Sequence, residues 1–171
     1  YEALEETFKS LGSKYISPHI LHISTHGFFK EDCASNPLFC SGLYLGGADR
    51  VVRGGSPVKG FDDGVLYAYE VADVNLSNTK LVVLSACETG LGEIKGGEGV
   101  YGLQRAFKMA GVDRIIMTLW KIPDTQTVDF MNFFYQNWFG GMDIQKAFLA
   151  AQRAMKNKYP NPFYWGAFVL M

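Results

Sequence analysis

The sequence has no excess of charge of either sign and no long apolar run. Its 16 basic residues nearly balance its 17 acidic ones, so it lacks the positive surface with which proteins hold nucleic acid or an anionic membrane. The longest apolar runs, residues 81–86 and 115–120, are far shorter than the roughly 20 residues of a membrane-spanning helix. These absences predict a soluble protein without a nucleic-acid or membrane partner.

Cysteine is also scarce. Cys33, Cys40 and Cys87 are an odd number without CxxC spacing, so no disulfide framework is expected and a reducing, cytoplasmic compartment is favoured. Cys33 and Cys40 are spaced too widely for a usual zinc pair, and no second pair matches them. We therefore expect neither a metal nor a cofactor.

The chain begins with neither Met nor a signal-like segment. Its 171 residues are the size of one ordinary domain, and nearly half of them are apolar, which is enough for one core. We expect a single domain over residues 1–171, taken from a longer protein whose other parts hold its regulation.

Apolar runs alternate with helical patterns along most of the chain. Buried strands are predicted at 19–24, 79–86, 113–120 and 163–171, and helices at 2–12, 62–74, 96–111, 124–141 and 142–159. Asp124 and Asp143 are candidate N-caps. Residues 41–47 and 50–52 are predicted to form a small extra hairpin within a loop region. Strands interleaved with helices indicate an α/β fold, a mostly parallel sheet with helices on both faces.

Two chemically active side chains follow neighbouring strands of this predicted sheet. His26 lies just past the strand at 19–24, and Cys87 directly follows the strand at 79–86. Reactive groups of open α/β sheets gather beyond the carboxyl ends of the strands. A cysteine with a histidine about 60 residues upstream is typical of caspase-type nucleophiles. Each residue also has a structural interpretation, a buried small thiol and a loop histidine.

A series of motifs, in order, resembles the CHAT domain, a caspase-like bacterial domain often fused to tetratricopeptide repeats. The motifs are HISTHGFF, SGLYL, DDGVLYAYEV, LVVLSACETGLGE, GGEGVYGLQRAFKMAGV, IIMTLWKIPDTQT and YWGAFVLM. The resemblance implies a caspase-like three-layer sandwich and the cysteine endopeptidase chemistry of the caspase, separase, legumain and gingipain clan. It makes His26 and Cys87 the catalytic dyad and the N–H groups of Gly27 and Cys87 the oxyanion donors, with a protein or peptide as substrate. Regulation by another domain or partner, such as tetratricopeptide repeats, is expected with it.

Substrate preference has to be argued from charge, because the residues after Cys87 depart from the caspase signature. Related peptidases that cut after Arg or Lys place an acidic residue in the pocket, and a charge entering a pocket needs an opposite charge. Asp124, beyond the third strand, is the candidate for binding a basic residue, followed by Glu88, Glu31 and Asp32. If an acidic residue is recognised instead, the candidates are Lys121 and Arg53.

Other functions are less favoured. The glycine-rich stretch 90–99 lacks both the P-loop ending and the GxGxxG order of nucleotide sites. Thiol redox chemistry lacks a resolving cysteine close in sequence to Cys87. His22 lies within the first strand, where packing is the expected role, and Trp120, Trp165 and Phe168 are expected in the core or a pocket wall. The main alternative to a peptidase is an inactive binding or scaffold module with the same fold.

Overall fold

The computed structural model describes residues 4–30, 36–85 and 98–171. Its strands are β1 (Ile20–Ile23), β2 (Gly27–Phe29), β3 (Ser41–Tyr44), β4 (Val65–Tyr67), β5 (Leu81–Leu84), β6 (Arg114–Thr118) and β7 (Phe168–Leu170). Its helices are α1 (Glu5–Lys9), α2 (Ala48–Val52), α3 (Ala68–Ala72), α4 (Glu98–Met109), α5 (Asp124–Phe139) and α6 (Ile144–Lys158). Short 3-10 turns cover Pro37–Phe39 and Pro162–Tyr164.

The main sheet has the order β1-β5-β6-β7. The pairs β1–β5 and β5–β6 are parallel, whereas β7 runs antiparallel to β6. Parallel neighbours need a long crossover between them, which the helical segments supply. The predicted mostly parallel sheet is therefore confirmed.

Alternate residues of the central strands face two separate hydrophobic clusters. Val82, Leu84, Ile115 and Met117 pack on one face with residues of α1, α3 and α4. Leu81, Val83 and Ile116 pack on the other face with residues of α5 and α6. Because neighbouring strand residues point to opposite faces, both sides of these strands are apolar. The result is the expected three-layer α/β sandwich.

A second sheet, with the order β2-β3-β4, lies outside the main one. Both of its pairings are antiparallel. The predicted extra hairpin is thus a three-stranded sheet, and its first strand begins directly after His26. Leu43 and Leu66, which are register partners in this sheet, are fully buried.

Two local predictions are wrong. Residues 50–52 belong to the helix α2 and not to a strand, and Val52 is exposed. The predicted helix at 62–74 divides into β4 and α3. Gly64 has a φ of 78°, which a helix does not use, and pairing with β3 then holds Val65–Tyr67 in a strand. At residues 65–67, tertiary pairing overrides the local pattern.

Candidate active site

The first two parallel strands end at the same level. Ile23 at the end of β1 is the register partner of Leu84 at the end of β5. The Ser85 N–H then donates to the Ile23 carbonyl at 2.9 Å, which extends the pairing by one bond. His26 follows Ile23 by 26 − 23 = 3 residues, and Cys87 follows Leu84 by 87 − 84 = 3 residues. The chain therefore leaves the same edge of the sheet toward both predicted dyad residues.

The backbone at His26 is held by β3. The His26 carbonyl accepts from the Tyr44 N–H at 2.8 Å, and the Thr25 hydroxyl donates to the Tyr44 carbonyl. Two bonds to one residue fix the short connection between β1 and β2. The side chain of His26 is exposed at this connection, where a substrate can reach it.

Gly27 is the first residue of β2 and is buried. It is not among the described glycines with positive φ, so its backbone angles are ones that other residues can also adopt. Gly27 pairs with Leu43, while Tyr44 N–H bonds His26 and Lys30 N–H bonds the Cys40 carbonyl. In an antiparallel ladder only alternate residues bond the partner strand, so the Gly27 N–H points away from β3.

Several predicted site residues lie outside the described residues. These are Cys87 and Glu88, within the stretch 86–97, and Glu31 and Asp32, within 31–35. Their roles stay predictions.

Asp124 is the first residue of α5 and follows the end of β6 at Thr118. Its carboxylate is exposed. The N-cap of α5 is Pro123, without a side-chain hydrogen bond, so the predicted capping by Asp124 is wrong. Within the described ranges, no hydrogen bond or ion pair of the Asp124 carboxylate is found, which leaves it available to a charge from outside.

The two basic counter-candidates differ in position. Lys121 is exposed between β6 and α5, on the same side of the sheet as Asp124. Arg53 lies at the end of α2, and its Nε is 2.9 Å from Asp49 Oδ1, with both side chains largely exposed. Arg53 is thus on a helix outside the main sheet and already has an acidic neighbour.

Aromatic side chains lie beside Asp124 in the chain. Trp120 is 38% exposed, its ring lies 6.3 Å from that of Phe163, and its Nε1 donates to the Phe163 carbonyl at 3.0 Å. Phe168, in contrast, is buried in the core, and Trp165 packs against the same cluster. The prediction of core or pocket wall is therefore resolved differently for the three rings: Trp120 is at the surface near the end of β6.

A cavity of about 690 Å³ lies between α1, one side of β1 and the end of β3. Its described lining is mainly apolar, including Leu4, Phe8 and Leu21, and also reaches Ser24 and Thr25 on the way to His26. No Asp or Glu is among these lining residues. The described lining of this cavity therefore includes none of the acidic residues predicted for the pocket.

His22 takes part in a polar cluster that the sequence analysis missed. Its Nδ1 is 3.1 Å from the Tyr135 hydroxyl, and its Nε2 is 3.2 Å from the Ser85 hydroxyl. Partial burial lowers the pKa of His22 and raises the pKa of Tyr135. The signal available in the sequence was a histidine in the middle of an apolar strand.

Cys40 is buried and disulfide-bonded. The sequence analysis expected no disulfide framework, and three cysteines leave room for one pair at most. The other two cysteines lie outside the described residues.

The described ranges, 4–30, 36–85 and 98–171, lack two further kinds of feature. They hold no group of three or more His, Cys, Asp or Glu residues placed to bind a metal ion. None of the helices there is both long and apolar enough to cross a membrane.

Comparison with known proteins identifies the family. Over 109 residues the chain is 28% identical to tetratricopeptide repeat protein 28 of Mus musculus and equally to that of Homo sapiens. Each match covers 63% of this chain and 4% of the relative, so the chain spans only a small part of these curated relatives. The family model of the CHAT domain, which belongs to the caspase-like clan, matches residues 2–171. The chain belongs to the CHAT domain family.

Proposed function

We propose that this domain is a cysteine endopeptidase that cleaves a protein partner with Cys87 as nucleophile and His26 as acid and base. The observation that carries the proposal is the common level at which β1 and β5 end. Ile23 and Leu84 are register partners, and the two candidate residues follow them at equal distance in the chain. A nucleophile and a base must come within hydrogen-bond reach, and this topology supports such an approach.

The reaction is acyl transfer. His26 accepts the thiol proton of Cys87, and the sulfur attacks the scissile carbonyl carbon to give a tetrahedral oxyanion. His26 then protonates the leaving amine as the C–N bond breaks and a thioester forms. Water, deprotonated by His26, attacks the thioester, releases the acid product and restores Cys87.

The N–H groups of Gly27 and Cys87 stabilise the oxyanion in this proposal. Donors of this kind must be free of the protein's own hydrogen bonds and aimed at the developing charge. The alternation of the β2–β3 ladder supports Gly27, since its N–H does not face β3. Gly27 is buried, and because it has no side chain it leaves the space beside His26 free.

A basic residue is the proposed recognition element before the cleaved bond. The exposed carboxylate of Asp124 supplies the negative charge, and Glu88 is a second candidate. The exposed ring of Trp120, four residues before Asp124, supports this choice because an aromatic face binds the cationic head of Arg or Lys.

Control by a second region of a longer protein is part of the proposal. The mouse and human relatives are named as tetratricopeptide repeat proteins, and the matched part is 4% of their length. We propose that repeats of this kind, or a partner that they bind, regulate the domain.

Cleavage assays with the full-length protein test the dyad. Candidate partners and a peptide library are incubated with the wild type, Cys87→Ala and His26→Ala, and products are identified by mass spectrometry. Both variants are expected to lose cleavage by at least a hundredfold, while the matched control His19→Ala, an exposed histidine just before β1, keeps it. Cleavage that survives Cys87→Ala rules out the proposed nucleophile.

The same assay tests the pocket. Asp124→Asn is expected to lower cleavage after Arg or Lys tenfold or more, whereas Asp113→Asn, an exposed acid at the opposite end of β6, leaves it unchanged. An unaltered profile for Asp124→Asn rejects this residue as the pocket acid.

A scaffold without catalytic activity is the second candidate. The observation in its favour is the likeness to tetratricopeptide repeat protein 28 of mouse and human, which is not named as a peptidase. If the wild type and Cys87→Ala both bind the partners and neither cuts them, the scaffold is supported.

A further inference from the structure

Three secondary-structure elements meet at the His22 side chain. Its Nε2 contacts the hydroxyl of Ser85, just beyond β5, at 3.2 Å. Its Nδ1 contacts the hydroxyl of Tyr135 in α5 at 3.1 Å. The His22 and Tyr135 rings also pack together, with their centroids 5.9 Å apart. One side chain of β1 therefore connects the end of the neighbouring strand to a helix on the sheet surface.

The strand register explains why these groups meet. His22 is the register partner of Val83, and Ser85 follows Val83 by two residues, on the same face of β5. That face packs against α5 and α6. Ser85 is also held through its backbone, since its N–H donates to the Ile23 carbonyl. Ser85 thus has a backbone bond and a side-chain bond to β1.

The protonation states of His22 and Tyr135 allow both hydrogen bonds of the His22 ring to form at once. Partial burial lowers the pKa of His22 and raises the pKa of Tyr135, so both are neutral at pH 7. A neutral imidazole has one donor and one acceptor nitrogen, and each hydroxyl can take either complementary role. Both ring nitrogens are therefore satisfied by neutral partners, and no charged group is required.

Ser85 is the last described residue before the stretch that contains Cys87, which follows it by 87 − 85 = 2 residues. A reacting group displaced by about 1 Å loses about a hundredfold in rate, so the point at which the chain leaves β5 has to be well defined. We propose that His22 is a positioning residue. Its hydrogen bond to Ser85 fixes the point at which the chain leaves β5, and Tyr135 orients the His22 ring. This inference rests on the proposed role of Cys87 as the nucleophile.

Substitutions of His22 separate its two hydrogen bonds. A glutamine amide reaches the place of Nε2 and keeps the contact with Ser85. An asparagine amide reaches only the place of Nδ1, on the Tyr135 side, and phenylalanine keeps a ring without either bond. His19→Gln is the matched control, because His19 is exposed and its side chain has no hydrogen bond within the described part of the chain.

Two readouts are measured on the full-length protein. The rate of alkylation of Cys87 by iodoacetamide at pH 7 reports the placement of the thiol, and hydrogen–deuterium exchange of peptides covering residues 81–90 reports the hold on the end of β5. In His22→Phe and His22→Asn we expect alkylation about three- to tenfold slower, the equivalent of one hydrogen bond, and faster exchange. His22→Gln is expected to stay near the wild type, as is His19→Gln.

Ser85→Ala and Tyr135→Phe each remove one hydroxyl. They test the proposal if His22→Phe does not fold. Ser85→Ala is expected to reproduce the effects of His22→Phe, and combining the two should add little, because both remove the same bond. Unchanged exchange at 81–90 in Ser85→Ala overturns the proposal. So does an asparagine variant that performs as well as glutamine, since packing on Tyr135 would then be sufficient.

Failure of the proposed function gives a different result. If wild-type Cys87 alkylates no faster than an ordinary thiol and His26→Ala changes nothing, the peptidase proposal is wrong. The exchange difference between His22→Phe and His22→Gln still decides whether His22 holds the end of β5.

Discussion

Single polar residues around β1 have different environments although the strand itself is short. His22 bonds two hydroxyls and packs on a tyrosine ring. His26, four residues later, has an exposed side chain on a backbone held by Tyr44. Both residues are exposed to solvent, but the first arrangement fixes the ring through two hydroxyls, whereas the second places the imidazole at the turn between β1 and β2. A histidine's place in a strand pattern does not reveal which of these it has.

Stability should depend on pH through His22. Its pKa in the folded protein lies below the ordinary value of 6.5, because partial burial disfavours the charged form. Between these two pKa values the unfolded state binds more protons, so protonation favours unfolding and stability falls as the pH drops below about 6.5. We expect the wild type to lose more free energy of unfolding than His22→Gln between pH 7 and pH 5, as measured by denaturant titration.

His19→Gln serves as the control for that titration, since it also removes one histidine. If the free energy of unfolding changes with pH in the same way for the wild type and His22→Gln, His22 has the same pKa in the folded and unfolded protein.

Individual elements are held by interactions near their ends. Asp143 caps α6, and its Oδ1 accepts from the N–H of Gln145 at 2.9 Å and of Lys146 at 3.4 Å. The start of α5 has no such cap, since Pro123 occupies that position. Two helices that both begin near an aspartate therefore use it differently.

Removing the cap should weaken α6 and with it the fold. Asp143→Ala is expected to lower the free energy of unfolding by about 1 kcal/mol, the usual loss for an aspartate N-cap. Asp124→Ala should cost only a few tenths, because it loses no more than a favourable charge near the α5 N-terminus. Equal losses for the two variants, measured by chemical denaturation, would contradict this assignment.

The small sheet depends on a glycine at its centre. A Cβ at Gly42 in β3 would lie 2.5 Å from the Leu66 carbonyl oxygen and 2.6 Å from Cζ of Phe28. These atoms belong to the two strands on either side of β3. The backbone oxygen in particular cannot move without shifting β4.

Gly42→Ala should therefore destabilise the protein by about 1–3 kcal/mol, as overpacking does. It should also slow the proposed cleavage, because β3 carries the Tyr44 bonds that hold Thr25 and His26. Val52→Ile, which adds one methylene at an exposed site, is the control for added volume. Wild-type stability in Gly42→Ala would show that the sheet adjusts without strain.

The whole molecule is organised by two apolar clusters on opposite faces of one sheet. Phe168 of β7 stacks on Phe130 of α5, with ring centroids 3.7 Å apart and planes inclined by 5°. This contact joins the last strand to the layer of α5 and α6. The end of the chain is thereby part of the core.

Phe168→Ala should cost about 3–5 kcal/mol, because it removes a fully buried ring and leaves a cavity. Phe139→Ala is the matched control: Phe139 is 69% exposed at the end of α5, against 1% for Phe168, and its loss should cost less than about 1 kcal/mol. Thermal and denaturant unfolding measure both. Similar losses for the two would place Phe168 outside the cooperative core.

The sequence by itself determined the layered α/β architecture and most of its elements. Continuous apolar runs at β5 and β6 require burial on both faces, and the amphipathic periods of α4 and α6 supply the covering layers. The same order of strands led to His26 at the edge of the sheet, because the carboxyl ends of parallel strands share one edge. These features follow from periodicities within short segments.

Tertiary structure alone decided the features that depend on distant residues. Val65–Tyr67 is a strand because β3 pairs with it, and residues 50–52 belong to the helix α2. His22 meets Ser85 and Tyr135, which lie 63 and 113 residues away in the chain. Hydrogen bonds across such separations depend on strand register and helix packing, and neither is encoded in the pattern of one segment.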